Sequence, residues 1–540
     1  MNYTSINFLL FIAVTALLYF LFPWKKHKWT VLLASSYFFY CVAGYKYVGF
    51  ILLTTFSAYG IALWLDAYGK KAKQQLKVHK ANWEKDQLKA FKNKVKRNKR
   101  RILSFGIVLN IGILAFLKYY NFFAGSLNSL LGSLRMEFSI PTLKLFLPLG
   151  ISFYTFQTVG YVVDVYREKV SAERNPAKLA LFVSFFPQII QGPIGFYDRL
   201  AHQLYEPHNF EFTRFRHGCE LLLWGFFKKL VIADRAVIAI NAVIGDYSSF
   251  GGTALTFTVL LYALQLYADF SGGIDISRGV AQILGIQLSE NFKRPYFAKT
   301  ISEYWRRWHI SLGEWMKEYV FYPIAVSSLF TGFSKKIKKS KFGKTAVGTH
   351  IAKVLPTSIA SLIVFFLVGV WHGANWKYAA FGLWNGGIIM LSTLLKPAFD
   401  AIGKKLHIQT ASLGFKLFQT LRTFIVVLIG YVFDIAPDFS SSMRTFRLML
   451  SNQSLSEMRL QIRLMNLAWA DYGMLAVCTV FLFIVSTLQE QAQGTSVRCM
   501  LDQKPFILRY IILLIGIISI LVFGVYGPGY DAAQFVYMQF

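Results

Sequence analysis

Charge-free apolar runs recur along the chain at close to the length that carries a helix across a bilayer, roughly 20 residues at about 1.5 Å of rise each. The clearest are Ile6–Pro23, Tyr47–Leu65, Ile102–Leu117, Leu145–Val163, Leu179–Phe196, Tyr247–Ala268, Val354–Trp371, Tyr378–Leu395, Tyr472–Leu488 and Tyr510–Tyr526. Thr30–Gly44, Leu221–Gly245 and Leu417–Phe433 are shorter or interrupted by charge, as in tilted, kinked or partly re-entrant segments. The pattern predicts an all-α, polytopic membrane protein of about 11 to 14 membrane helices. With no internal repeat and no soluble boundary evident, residues 1–540 read as one membrane domain.

Lys25, Lys26 and Lys28 follow the first run, the reverse of a signal peptide's order, so that run is expected to be a retained span with an extracytoplasmic start. The stretch 70–101 carries 14 Lys/Arg against Glu84 and Asp86 and belongs in the cytoplasm. Alternation of spans then places the basic segments Arg167–Lys178 and Lys335–Lys344 on that side too. Within 70–101, Leu76, Trp83, Leu88 and Phe91 among the lysines fit either a helix lying on an anionic membrane surface or a solvated linker.

Composition sharpens the class. Of 540 residues 55% are hydrophobic and 16% charged, which excludes a disordered chain and argues against a water-soluble globule. The net charge of +31 would suggest nucleic acid in a soluble protein. Here it sits in loops beside apolar spans and records orientation in the cytoplasmic membrane, so no nucleic acid is expected. Cys41, Cys219, Cys478 and Cys499 lack C-x-x-C spacing and neither His309 nor His372 has a second His or Cys at ligand spacing, so no metal site is indicated.

Polar residues crowd 269–323. Asp269, Asp275 and Arg278 beside apolar helices are costly unless they pair with each other or line a wet cavity, and an ion pair that only fixes packing is an equal reading. Asn291 belongs to the same polar core. Over Ser302–Tyr319, Trp305, Trp308, His309, Leu312, Trp315 and Met316 recur at three-and-four spacing, which predicts an amphipathic helix. His309 on that stripe reads as a packed ring or as a site residue. His372 lies in GVWHGANW at the seam of two spans, where Gly369 and Gly373 permit close backbone approach.

Seven blocks carry a resemblance: LPLGISFYTFQTVGYVVDVYR (147–167), FFPQIIQGPI (185–194), DFSGGIDIS (269–277), ENFKRPY (290–296), EYWRRWHISLGEWMKEYVFYP (303–323), VWHGANW (370–376) and FVYMQF (535–540). The chain resembles the membrane-bound O-acyltransferases, and within them the bacterial alginate O-acetyltransferase branch. It departs from that branch at DFSGG, in lacking a Gly-Gly-Asn-Arg stretch after Pro323, and in having Asn385 where a further histidine is expected. The resemblance implies a ring of tilted helices around a thin core with re-entrant or amphipathic helices and a through-tunnel. It also implies an active-region core at 269–323 and 351–395, a catalytic histidine at His372 and a second active-region histidine at His309.

The implied reaction moves an acyl group, by motif wording acetyl, from a cytoplasmic thioester to a hydroxyl of an extracytoplasmic or secreted polysaccharide. The donor is acetyl-coenzyme A or an acyl-carrier thioester, with no tightly bound cofactor, and an extracytoplasmic esterase-like partner could finish the transfer. A hydroxyl is a weak nucleophile at neutral pH, so an imidazole that takes its proton is the expected base, a role assigned to His372. Trp371, Trp376, His309 and Asn375 are candidate oxyanion donors. Lys293, Arg294, Arg306 and Arg307 could attract donor phosphates or simply mark the positive side. D-alanyl transfer to teichoic acids, a transporter, and a scaffold without chemistry are the alternatives.

Overall fold

A computed structural model describes residues 3–136, 138–189, 191–247, 249–492 and 495–526; the FVYMQF block lies outside them. Among the described residues the chain is helical and contains no strand. It divides into two compact units, residues 1–222 with 277–289, and 223–276 with 290–540. Among the described residues seven helical stretches are long and apolar enough to cross a membrane, or eight when the pair Trp376–Leu394 and Lys396–Lys405, bent by 60°, counts as one span. Several expected spans fall short of that test because their helices are brief or carry charge.

The first unit holds α1 (Ile6–Leu21), α2 (Lys28–Gly44), α3 (Val48–His79), α4 (Lys85–Ser133), α5 (Ile151–Tyr166), α6 (Pro176–Ser184), α7 (Phe186–Ile189), α8 (Tyr197–Tyr205) and most of α9 (Phe212–Phe226). The basic stretch 70–101 is a helical hairpin: α3 and α4 run through it, and Glu84 with Gln87 forms a capping box at the start of α4. Its lysines gather around one carboxylate, since Glu168 after α5 pairs with Lys73 at 2.7 Å and Lys99 at 3.0 Å. Both ammonium groups hold the Glu168 carboxyl below its ordinary range. Arg174 pairs with Asp66 beside them. The basic ends of α3, α4 and α5 therefore lie on one side, as span alternation requires.

Leu179–Phe196, expected as a span, is instead a hairpin. α6 has nine residues; Pro187 and the Gly192–Pro193 turn then reverse the chain, because proline supplies no N–H and only glycine fits against Gln188 at position 192. The return is fixed by Tyr205, whose hydroxyl donates to Lys178 O at 2.9 Å, and by Tyr197, whose hydroxyl donates to Glu173 Oε2 at 3.0 Å. The end of α8 thus meets the start of α6.

The second unit contains α10 (Asp234–Gly245), most of α11 (Gly252–Ile283), α12 (Ile301–Arg307), α13 (Ile310–Met316), α14 (Tyr322–Ala325), α15 (Ser328–Lys339), α16 (Ala346–His372), α17 (Trp376–Leu394), α18 (Lys396–Lys405), α19 (Leu413–Ile435), α20 (Phe439–Ser451), α21 (Leu455–Leu464), α22 (Trp469–Gln491), α23 (Val497–Asp502) and α24 (Phe506–Phe523). Phe227–Ala233 is π-helical, a widened turn that marks local strain or function. α16 and α17 form an antiparallel hairpin in which Gly369 and Gly382 meet: a Cβ on Gly369 would come 2.9 Å from Gly382 Cα. Small residues at such a crossing let two apolar helices touch along their backbones.

Candidate active site

Two backbone features place the first histidine. Residues 291–293 and 307–310 exchange backbone bonds, Lys293 N to Arg307 O at 2.9 Å and Ile310 N to Asn291 O at 3.0 Å, around an isolated antiparallel bridge between Phe292 and Trp308. His309 sits between α12 and α13 with φ 46° and ψ 54°, in the left-handed region that a residue with a Cβ seldom adopts. The amphipathic helix expected over Ser302–Tyr319 is therefore broken at its histidine, which is lifted off the stripe and 2% exposed. The strain is held by the flanking bridge.

Asn291 fixes the ring. Its Oδ1 accepts from Ser311 N at 2.9 Å, and a backbone N–H can only donate, so the oxygen end of the amide must face that side. The Ser311 hydroxyl donates to the same oxygen at 2.9 Å, and His309 Nδ1 lies 3.3 Å from it. An oxygen that only accepts requires Nδ1 to carry the imidazole proton, which leaves the lone pair on Nε2. Complete burial, and secondarily the charge of nearby His372, hold the His309 pKa well below its ordinary value. His309 is a neutral ring whose Nε2 accepts.

His372 is the last residue of α16 and 8% exposed. Trp371 packs against both histidines, its ring centroid 6.0 Å from His309 and 5.4 Å from His372. Phe381 at 5.5 Å and Tyr378 at 6.2 Å complete the aromatic wall around His372, and Phe270 of α11 meets His309 edge-on at 4.9 Å. The two histidines, separated by more than 60 residues of sequence, pack against the same indole ring.

The remaining candidates divide. Asn375 caps α17, its Oδ1 accepting from Lys377 N at 3.0 Å, and its Nδ2 reaches Pro437 O at 3.4 Å, so its amide is engaged in structure. Trp376 is 59% exposed, whereas Trp371 is buried beside the imidazoles. Arg294 and Arg307 converge on Glu490 of α22 at 2.5 and 2.9 Å, and Arg307 also pairs with Glu303 at 2.8 Å. Those two guanidinium charges are neutralised. Lys293 makes a surface pair with Glu290 at 3.4 Å, and Arg306 is exposed with no acidic partner among the described residues.

Asp269 and Asp275 find lysines. Lys228 pairs with Asp275 at 2.7 Å and donates to Ser271 Oγ at 2.8 Å; Lys229 pairs with Asp269 at 2.5 Å and Asp234 at 2.8 Å. Both lysines lie in the π-helical turn, where they read in the sequence only as charges interrupting a span. Gly225 and Gly272 allow the approach, since a Cβ on Gly225 would lie 2.7 Å from Gly272 O. Asn385, at the position where the resemblance led to a histidine, accepts from Trp305 Nε1 at 3.0 Å and donates to Phe381 O at 2.9 Å. Sequence reasoning also missed a buried tyrosine group: the Tyr304 and Tyr431 hydroxyls are 2.7 Å apart, those of Tyr296 and Tyr431 3.2 Å, and Tyr262 donates to Asp434 at 2.7 Å.

The fold is that of a multi-pass helical membrane protein that holds two neighbouring buried histidines against one tryptophan. The chain belongs to the membrane-bound O-acyltransferase family, whose pattern its residues 167–347 match, and it is an O-acyltransferase. It is 30% identical to "Probable alginate O-acetylase AlgI" of Azotobacter vinelandii over 83% of this chain and 77% of that protein. The peptidoglycan O-acetyltransferase of Helicobacter pylori is 30% identical over 80% of this chain and 75% of its own length. The teichoic acid D-alanyltransferase of Bacillus subtilis is 28% identical over 54% of this chain and 69% of its own.

Proposed function

We propose that the protein acetylates hydroxyl groups of a cell-envelope or secreted polysaccharide on the extracytoplasmic face, drawing the acetyl group from a cytoplasmic thioester. The observation that carries the reading is the pairing of His309 and His372 across Trp371, with the proton of His309 fixed on Nδ1 by Asn291. In this reading His372 takes the proton of the acceptor hydroxyl as its oxygen attacks the thioester carbonyl. The tetrahedral adduct collapses, the C–S bond breaks, and the proton passes from the His372 imidazolium to the departing thiolate. One ester and one thiol replace one alcohol and one thioester.

His309, with its lone pair on Nε2, is unsuited to donate to an oxyanion and suits a role as acceptor that orients the hydroxyl or a water. The indole N–H of Trp371 is the oxyanion donor we assign. Acetyl is favoured over D-alanyl because the O-acetylating relatives align over four-fifths of the chain and the D-alanyltransferase over little more than half. The gathering of Lys73, Lys99 and Arg174 around Glu168 and Asp66 supports a cytoplasmic 70–101 hairpin and an extracytoplasmic N-terminus in the cytoplasmic membrane.

The test uses purified protein in lipid nanodiscs, given labelled acetyl-coenzyme A, acetylated acyl carrier protein or D-alanylated carrier protein, with an oligosaccharide acceptor. Label should enter the acceptor as an O-acetyl ester. Transfer from the D-alanyl donor alone would replace this reading with teichoic-acid chemistry.

A further inference from the structure

The hairpin α6–α8 encloses a cleft of about 270 Å³ within the first unit, lined in part by Gln188, Ile194, Phe196, Arg199, Gln203 and Gln287. Small-ligand sites begin at roughly this size. Gln188 is 3% exposed; its Nε2 donates to Pro193 O, and its Oε1 has no hydrogen-bond partner among the described residues. Gln157 Nε2 and both amide atoms of fully buried Gln191 also lack partners there. Buried amides are almost always satisfied, so the unpaired oxygen of Gln188 in the lining of this cleft points to an occupant that completes it.

Gly195 makes the room. A Cβ at that position would lie 2.7 Å from Gln188 Nε2 and 2.8 Å from Gln157 Nε2, so a side chain there would push aside the two amides that converge on it. The rim is fixed as well: Gln203 Oε1 accepts from Gln287 N at 2.9 Å and its Nε2 donates to Arg199 O at 2.9 Å. The exposed Arg199 guanidinium lies over the Phe196 ring at 4.9 Å. The cleft therefore offers amide groups at depth, an apolar wall and a cation at its mouth.

Its side decides the class of ligand. Tyr197 and Tyr205 tie α8 to Glu173 and Lys178, and Lys169 pairs with Asp198 at 2.9 Å, so the cleft's rim lies with the basic loop that follows α5. By positive-inside placement that is the cytoplasmic side, where an acyl thioester is found and an envelope polysaccharide is not. We propose that this cleft holds the phosphopantetheine arm of the donor, with its amides bonded to Gln188 and its phosphate facing Arg199. The proposal rests on the thioester reading above, and the arm is common to coenzyme A and to acyl carrier proteins.

The experiment compares wild type, Arg199→Glu and Gln188→Leu in nanodiscs with three donors: acetyl-coenzyme A, acetylated acyl carrier protein, and S-acetyl-N-acetylcysteamine, which keeps the thioester end but lacks the phosphate. Arg199 is exposed, so its variant should fold even if Gln188→Leu does not. Arg199→Glu should raise KM for a phosphate-bearing donor about tenfold with kcat within about twofold, and leave kcat/KM for the truncated donor unchanged. An increase with only one of the two phosphate-bearing donors identifies the natural source and supports the proposal. Unchanged KM for both, or an equal loss with the truncated donor, overturns it while leaving the thioester reading intact. Absence of transfer by wild type from every donor overturns the thioester reading and this inference with it.

Discussion

Two of the polar groups buried in the second unit have opposite character. In one, Lys228 and Lys229 meet Asp275, Asp269 and Asp234 at 2.5–2.8 Å. In the other, His309 and His372 meet aromatic rings, and His309 is anchored by the uncharged amide of Asn291. Buried full charges survive only where opposite charges face them, and a charge held in such a pair moves a proton less readily than a neutral group. A desolvated imidazole can stay neutral without a counterion, which keeps its lone pair available. The difference separates what fixes α11 against the π-helical turn from what can react.

Several measurements break or sharpen that contrast. The largest effect is expected from Lys229→Met, which leaves Asp234 and Asp269 facing each other; removing one partner of a buried pair costs about 3–5 kcal/mol. Little folded protein should survive detergent extraction, as read by size-exclusion chromatography. Asn291→Ala removes the acceptor that sets the His309 tautomer and should lower kcat about 10- to 100-fold with KM little changed. Thermal melting of the same sample would show whether the loss is chemical or structural, and the account requires a folded protein.

Glu490→Gln should act more gently. The carboxylate is partly exposed, so its pairs with Arg294 and Arg307 are screened, and a two- to fivefold fall in kcat is expected, on the order of 1 kcal/mol or less. An unchanged rate would show that this clasp does not position the His309 segment. The smallest effect concerns pH. His309 has a folded-state pKa below its unfolded value near 6.5, so the unfolded chain takes the proton first. Stability attributable to the neutral ring is present above pH 6.5 and falls as pH drops toward the folded value, by up to about 1.4 kcal/mol per unit. His309→Asn should remove that acid-side slope from the melting temperature.

Much of this was legible in the residues. Apolar run length gave the membrane class, and the VWHGANW seam gave a histidine at a helix end, because both follow from local pattern. The basic stretch 70–101 pointed to one side of the membrane, and the convergence of Lys73 and Lys99 on Glu168 agrees with it. What failed to show depended on distant partners. Lys228 and Lys229 looked like flaws in a span because Asp275 and Asp269, which pair with them, lie 40 or more residues away. Leu179–Phe196 had the composition of a span, and only the reversal at Pro187 and Gly192–Pro193 reveals a hairpin. His309 fitted a helical stripe by spacing, yet the pairing of 291–293 with 307–310 outweighs that periodicity and turns the ring inward. Arg294 and Arg307 looked free to bind phosphate because Glu490 lies more than 180 residues further on.

The central claim is that the imidazole of residue 372 removes the proton from the acceptor hydroxyl. The direct measurement is labelled acetyl transfer by His372→Ala in nanodiscs, in a preparation whose circular dichroism and melting temperature match wild type. The account predicts a fall of at least about a thousandfold, the upper range for loss of a general base. Transfer at the wild-type rate by that folded variant would contradict it.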